Sequence, residues 1–191
     1  MFNVTVVSLS RKSLLRNRNL KLENRAKFML KTNSNQRIIL GIDPGTAITG
    51  FGLIEVAGQT LRLIRYGCIT TPAGMAHAQR LLCIHTELKK IIVAQKPDAV
   101  AVEKLFFYNN AKTASAVGEA RGVVSLTVAQ AKLPLYEFTP LQVKQAVSAY
   151  GKASKLQVQK MVAMILKLKE IPKPDDAADA LAVAICCANS L

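Results

Sequence analysis

The sequence predicts a single α/β domain built on a five-stranded mixed sheet, three antiparallel strands followed by two parallel ones, with helices flanking it. Three observations predict it. Three strand-like runs joined by short turns come first, helix-length and strand-length segments alternate after them, and no repeat or long linker breaks the series from Arg37 onward. A chain of 191 residues suits one such domain with a proper core.

The strands open the series. Arg37-Ile38-Ile39-Leu40-Gly41-Ile42-Asp43 is a buried-strand pattern ended by Pro44-Gly45. Residues 49–56 and 61–69 follow as strands with Gly58 at the turn between them, completing an antiparallel meander. A helix is expected from about Met75 to Gln95, with Ala78, Leu81, Leu82, Leu88, Ile91 and Ile92 on its apolar stripe. His85 falls on that stripe, where a lone histidine is ordinarily a satisfied packing residue. Asp98 to Glu103 reads as the fourth strand. The helix from about Ala111 to Ala131 repeats small residues at Ala114, Gly118 and Gly122, which permits close approach to the sheet or to a partner helix. Leu135 to Phe138 is the fifth strand, and helices follow near 140–149, 154–168 and 175–189.

Three acidic segments stand out against this apolar framework. Asp43 ends the first strand, Glu103 ends the fourth, and Asp175, Asp176 and Asp179 open the last helix after Pro174. A carboxylate among Ile, Val, Leu and Ala is costly to desolvate without a cation against it. No Lys or Arg within these runs is an obvious partner, since alternation turns Lys104 to the face opposite Glu103. Divalent metal meets the need, and all-oxygen ligands favour Mg2+ or Mn2+ over Zn2+. Asp176 and Asp179, three apart, share a helix face, and Asp175 is expected to point elsewhere. Helix-start acids also serve as simple caps, but Asp179 lies a turn inside the helix where no cap is required.

Composition bounds the partners. Twenty-six Lys and Arg oppose 12 acids, a net charge of +14, which draws polyanions such as nucleic acid or an anionic membrane. No uninterrupted apolar run is long enough to cross a membrane. Cys68, Cys83, Cys186 and Cys187 lack metal-type spacing and sit in apolar segments, as expected of reduced structural thiols in a cytosolic protein. Residues 1–36 form a basic extension, expected to be disordered, with a net charge of +7. They read equally as a phosphate-gripping arm, as an acid-poor transit peptide, or as residues ahead of a true start at Met29. Residues 37–191 remain basic without them, with 18 basic and 11 acidic residues.

Five segments in register resemble one family. Gly41-Ile42-Asp43-Pro44-Gly45, the Glu103 strand, Gly118-Glu119-Ala120-Arg121-Gly122, Gln142-Val143-Lys144-Gln145 and Asp176-Ala177-Ala178-Asp179-Ala180-Leu181-Ala182 are similar to the bacterial RuvC family of Holliday-junction resolvases. The resemblance runs in order over residues 37–189; the N-terminal extension departs from it. It implies a ribonuclease H-like fold, a symmetric homodimer, and cleavage of two strands of four-way junction DNA with two Mg2+ ions per site, Mn2+ substituting. Branch-migration proteins RuvA and RuvB are implied partners, in the cytoplasm. The catalytic and metal-binding acids map to Asp43, Glu103, Asp176 and Asp179. Lys144 and Lys155 match backbone-gripping lysines, and Phe106 matches an aromatic that wedges into the junction. Lys152 and Lys160 lie on polar faces nearby and are further candidates for DNA binding, although a solvated helix face explains them as well.

Two other functions fit parts of the pattern. The loop Gly41 to Thr46 resembles the phosphate loop of actin-like ATPases, which need two such domains to enclose a nucleotide. A binder that recognises junctions without cutting them would gain nothing from four acids beside phosphates.

Overall fold

The computed structural model describes residues 36–104 and 111–191, with side chains in the last helix-bearing stretch from Ser115. Its elements are β1 (Gln36–Asp43), β2 (Ile48–Ala57), β3 (Thr60–Thr70), α1 (His77–Gln95), β4 (Ala99–Glu103), α2 (Ala111–Gln130), β5 (Leu135–Phe138), α3 (Pro140–Ser148), α4 (Lys155–Ile165) and α5 (Asp175–Ala188). The strands lie in the order β3-β2-β1-β4-β5. β1, β2 and β3 pair antiparallel, whereas β1 with β4 and β4 with β5 pair parallel, the mixed sheet expected from the sequence.

Strand alternation divides the core between two faces. Leu40, Ile42, Phe51, Leu53 and Val100 point to the side covered by α1 and α2, where Leu88, Ile92, Val124 and Val128 meet them. Ile39, Ile54 and Ala101 point to the other side, where α3, α4 and α5 supply Val143, Val158, Val162, Leu181 and Ile185. α5 is the most enclosed helix: every residue from Ala180 to Cys187 is buried. Capping boxes start its neighbours, Thr139 with Gln142 on α3 and Ser154 with Gln157 on α4.

Two expectations for the helices are corrected. The buried line of α1 is Ile84, Leu88 and Ile92, one turn apart; Leu82 is 55 % exposed, because a broad apolar stripe has shoulders that leave the sheet. His85 is a packing residue as read, its Nδ1 2.8 Å from the Thr127 hydroxyl of α2. On α2 the sheet-facing residues are Ala120, Val124 and Val128, and Gly122 is exposed, with open space where its Cβ would be. Close approach to the chain's own sheet therefore does not explain Gly122. Cys186 and Cys187 are buried free thiols, raised by burial to about 11 and about 12.

Candidate active site

Asp43 and Glu103 are the last residues of two neighbouring parallel strands. The register that sets Ile42 beside Val102 brings both carboxylates to the same edge of the sheet. Asp43 shares its face with Gly41, and Glu103 with Ala101, the face on which α5 lies. The loop beyond Asp43 is held by the Thr49 hydroxyl donating to the Gly45 carbonyl and the Thr71 hydroxyl donating to the Thr46 carbonyl, each at 2.6 Å.

Glycines let α5 reach these carboxylates. A Cβ on Gly50, the residue paired with Asp43 on β2, would lie 2.0 Å from the Asp176 carbonyl oxygen. One on Gly41 would lie 2.1 Å from the Ala180 carbonyl oxygen, and one on Gly52 would press on Leu181. The helix thus rests backbone to backbone on β1 and β2. Its first turns carry Asp176 and Asp179 into the field of Asp43.

The electrostatics record that convergence. Burial, then Asp179, Glu103 and Asp176, raise Asp43 from the ordinary 3.8 to about 7, against an opposing pull from Lys155. Burial followed by Asp179 raises Glu103, with Lys144 opposing. Burial also raises Asp179. All four predicted acids therefore belong to one cluster, and Lys144 and Lys155 lie beside it. Lys152 and Lys160 are exposed. Phe106 lies outside the described residues.

Lys155 corrects the sequence reading. Its Nζ stands 2.8 Å from Asp179 Oδ2 and 3.6 Å from Asp175 Oδ2, so a lysine from another helix is the partner that the acidic runs themselves lack. Asp175 and Asp179 are four apart, and Lys155 reaches both, so Asp175 does not point away from the cluster. Cys68, read only as a structural thiol, also lies here: it pairs with Gly50 across β2 and β3, and burial followed by Asp176 raises it. The available signals were Gly41, Gly50 and Gly52 alternating on two strands, which marks a close backbone approach, and a lysine at the wrong end of a helix dipole.

The donor set suits a hard divalent cation. Four carboxylates offer only oxygen, and their mutual repulsion, which adds to burial in raising Asp43, is relieved by positive charge. Among the described residues no three metal-ligating side chains are already gathered about one point, and Lys155 occupies part of the cluster.

A pH dependence follows. A carboxyl raised in the folded state holds its proton more tightly there, so its stabilising contribution is complete below about pH 4 and lost as pH rises through about 7. Glu103 and Asp179 shift in the same direction. Without metal, the melting temperature is expected to fall as pH rises from about 4 to about 7 and to level off above that. Asp43→Asn should flatten that fall, as measured by thermal melts in chelator.

A mixed sheet in the order β3-β2-β1-β4-β5, carrying carboxylates at the ends of β1 and β4 and at the start of α5, defines a ribonuclease H-like nuclease. Residues 39–187 match the family described as Crossover junction endodeoxyribonuclease RuvC, and the chain belongs to that family. It is 59 % identical over 154 residues to the RuvC of Heliobacterium modesticaldum, covering 81 % of this chain and 95 % of the relative. The structure of Thermus thermophilus RuvC in complex with a Holliday junction substrate superposes with a TM-score of 0.77 at 38 % identity, covering 81 % of this chain and 94 % of the other. The yeast mitochondrial Holliday junction resolvase Ydc2, at 12 % identity and a TM-score of 0.59, covers 79 % of this chain and 77 % of its own and shares the fold. Relatives matched over nearly their whole length leave no ground for the ATPase reading.

Proposed function

We propose that this protein is a structure-specific endonuclease that resolves four-way DNA junctions by hydrolysing one phosphodiester in each of two symmetry-related strands. The observation that carries it is the convergence of Asp43, Glu103, Asp176 and Asp179, with Lys144 and Lys155 at its rim. Its relatives' names and the junction bound by the Thermus protein support the choice of substrate.

In this reading Asp43, Glu103, Asp176 and Asp179 hold two Mg2+ ions, or Mn2+ in their place. Bound there, the metal supplies a Lewis acid that makes water a nucleophile near neutral pH and neutralises charge at the cleaved phosphate. Half-buried Asp43 keeps part of its carboxylate away from water, so its attraction for a cation is less screened than at an open surface. Lys144 and Lys155 bind the flanking phosphates, which positions the scissile bond against the acids. Lys152 and Lys160 extend the basic surface, and Phe106 is the wedge that holds unstacked bases. Hydrolysis leaves 5′-phosphate and 3′-hydroxyl ends that a ligase can seal. The test is incubation of the purified chain with a synthetic four-way junction and with linear duplex, with and without Mg2+. Paired nicks in the junction alone support the reading, and tight binding without cleavage in either metal favours a non-cutting binder.

Two symmetric cuts require two sites, hence a two-fold dimer. The small-residue line of α2 is the proposed contact, with Gly122 open to a second copy. RuvA and RuvB are proposed partners in the cytoplasm. A Cβ at Gly122 has open space among the described residues, so Gly122→Leu should melt like the parent yet sediment as a monomer at micromolar concentration. A folded, dimeric Gly122→Leu protein moves the interface elsewhere.

A further inference from the structure

Lys155 is placed where general rules of helix construction disfavour it. It is the first residue of α4, immediately after the Ser154 cap, so its positive charge lies at the positive end of the helix dipole. α4 contains no acid to offset it. What offsets it is α5, whose Asp179 and Asp175 carboxylates stand 2.8 and 3.6 Å from its ammonium. The backbone from which it extends is firmly seated, because Ala153 and Val158 on either side are buried. The side chain itself is 55 % exposed, so it is held by charge rather than by packing and is free to swing toward solvent.

Resting on the four-acid reading above, we propose that Lys155 is the resident counter-ion of the metal-free site. A divalent cation must displace it from Asp179, and the released ammonium then turns to a phosphate of the DNA. Lys155 is thus a positioning residue that couples the two ligands. Asp179 cannot serve its lysine and a cation fully at once, and a phosphate that draws Lys155 away leaves the carboxylate free. By reciprocity, DNA strengthens cation binding by the same factor as the cation strengthens DNA binding. Lys144 supplies the contrast, since it acts on Glu103 through space and forms no ion pair with the cluster among the described contacts.

The test is calorimetric titration of the full chain with Mn2+ in the absence of DNA. Lys155→Met is expected to bind Mn2+ about tenfold more tightly than the parent, the size of one lost charge-assisted contact. Lys155→Gln should repeat that gain, and Lys144→Met should stay within about threefold of the parent. Unchanged or weaker binding in both Lys155 variants overturns the proposal, as does an equal gain in Lys144→Met, which would mean diffuse electrostatics without displacement. Asp43→Asn separates the two levels of the argument. If it binds Mn2+ as the parent does, the four-acid reading has failed and the proposal with it. If it loses Mn2+ while Lys155→Met gains nothing, only the counter-ion role has failed.

Discussion

Asp43→Asn, Glu103→Gln and Asp179→Asn are each expected to lower junction cleavage by at least about a thousandfold, or about 4 kcal/mol of transition-state stabilisation. Each change preserves shape while removing a charged oxygen from the cluster. Junction binding should persist or tighten, because negative charge beside the phosphates is lost and Lys144 and Lys155 remain. Stability distinguishes this from simple misfolding. Asp43 is raised to about 7 by burial and three like charges, so its neutral replacement should raise the metal-free melting temperature at neutral pH even as cutting disappears. Asp179→Asn should gain less, since it also gives up the 2.8 Å pair with Lys155. Gel assays of nicking and binding, alongside thermal melts, check all three. Cleavage within tenfold of the parent in any variant removes that residue from the ligand set.

The second large effect is expected at glycines that touch no substrate. Gly50→Ala puts a methyl 2.0 Å from the Asp176 carbonyl oxygen and 2.4 Å from its carbon, and both are backbone atoms that no rotamer change can move. Gly41→Ala meets the Ala180 oxygen at 2.1 Å and the Ala184 nitrogen at 2.7 Å. α5 must lift from the sheet, at a cost of about 1–3 kcal/mol or more. It carries Asp176 and Asp179 with it, and a displacement of about 1 Å is enough to cost about a hundredfold in rate. Gly52→Ala should be milder, because it meets mainly the Leu181 side chain. Gly74→Ala, with nothing within 4 Å, should be silent. Melting temperatures and cleavage rates should therefore both rank Gly50 and Gly41 as most sensitive, Gly52 next and Gly74 unaffected. A Gly50→Ala protein with parental melting and cutting would mean that the helix does not lie as close as described.

These expectations differ in how far they could be read in advance. Asp43 and Glu103 were legible because a carboxylate closing an apolar strand breaks a strong local pattern, and parallel neighbours align such ends. Asp176 and Asp179 were legible from helix spacing. The glycines were not, because a strand glycine signals close approach without naming the approaching partner. Gly122 was ambiguous for the same reason: small residues suit a sheet or a second helix, and its exposed position appears only once Ala120, Val124 and Val128 are seen to take the sheet side. Lys155 was matched to a phosphate-gripping role, but its partners Asp175 and Asp179 lie 20 and 24 positions away and on another helix.

By itself, then, the sequence determined what short-range periodicity and composition control: the order of strands and helices, the mixed sheet, the four acids, and the excess of positive charge. These depend on neighbours within a few residues, where alternation and helical spacing leave few choices. Only the tertiary structure decided how near α5 lies to β1 and β2, that Lys155 sits among the acids, and that Asp43 rises to about 7. Each of those depends on distances between segments remote in the chain, and Coulomb interaction and steric contact change steeply over ångströms that local pattern does not encode.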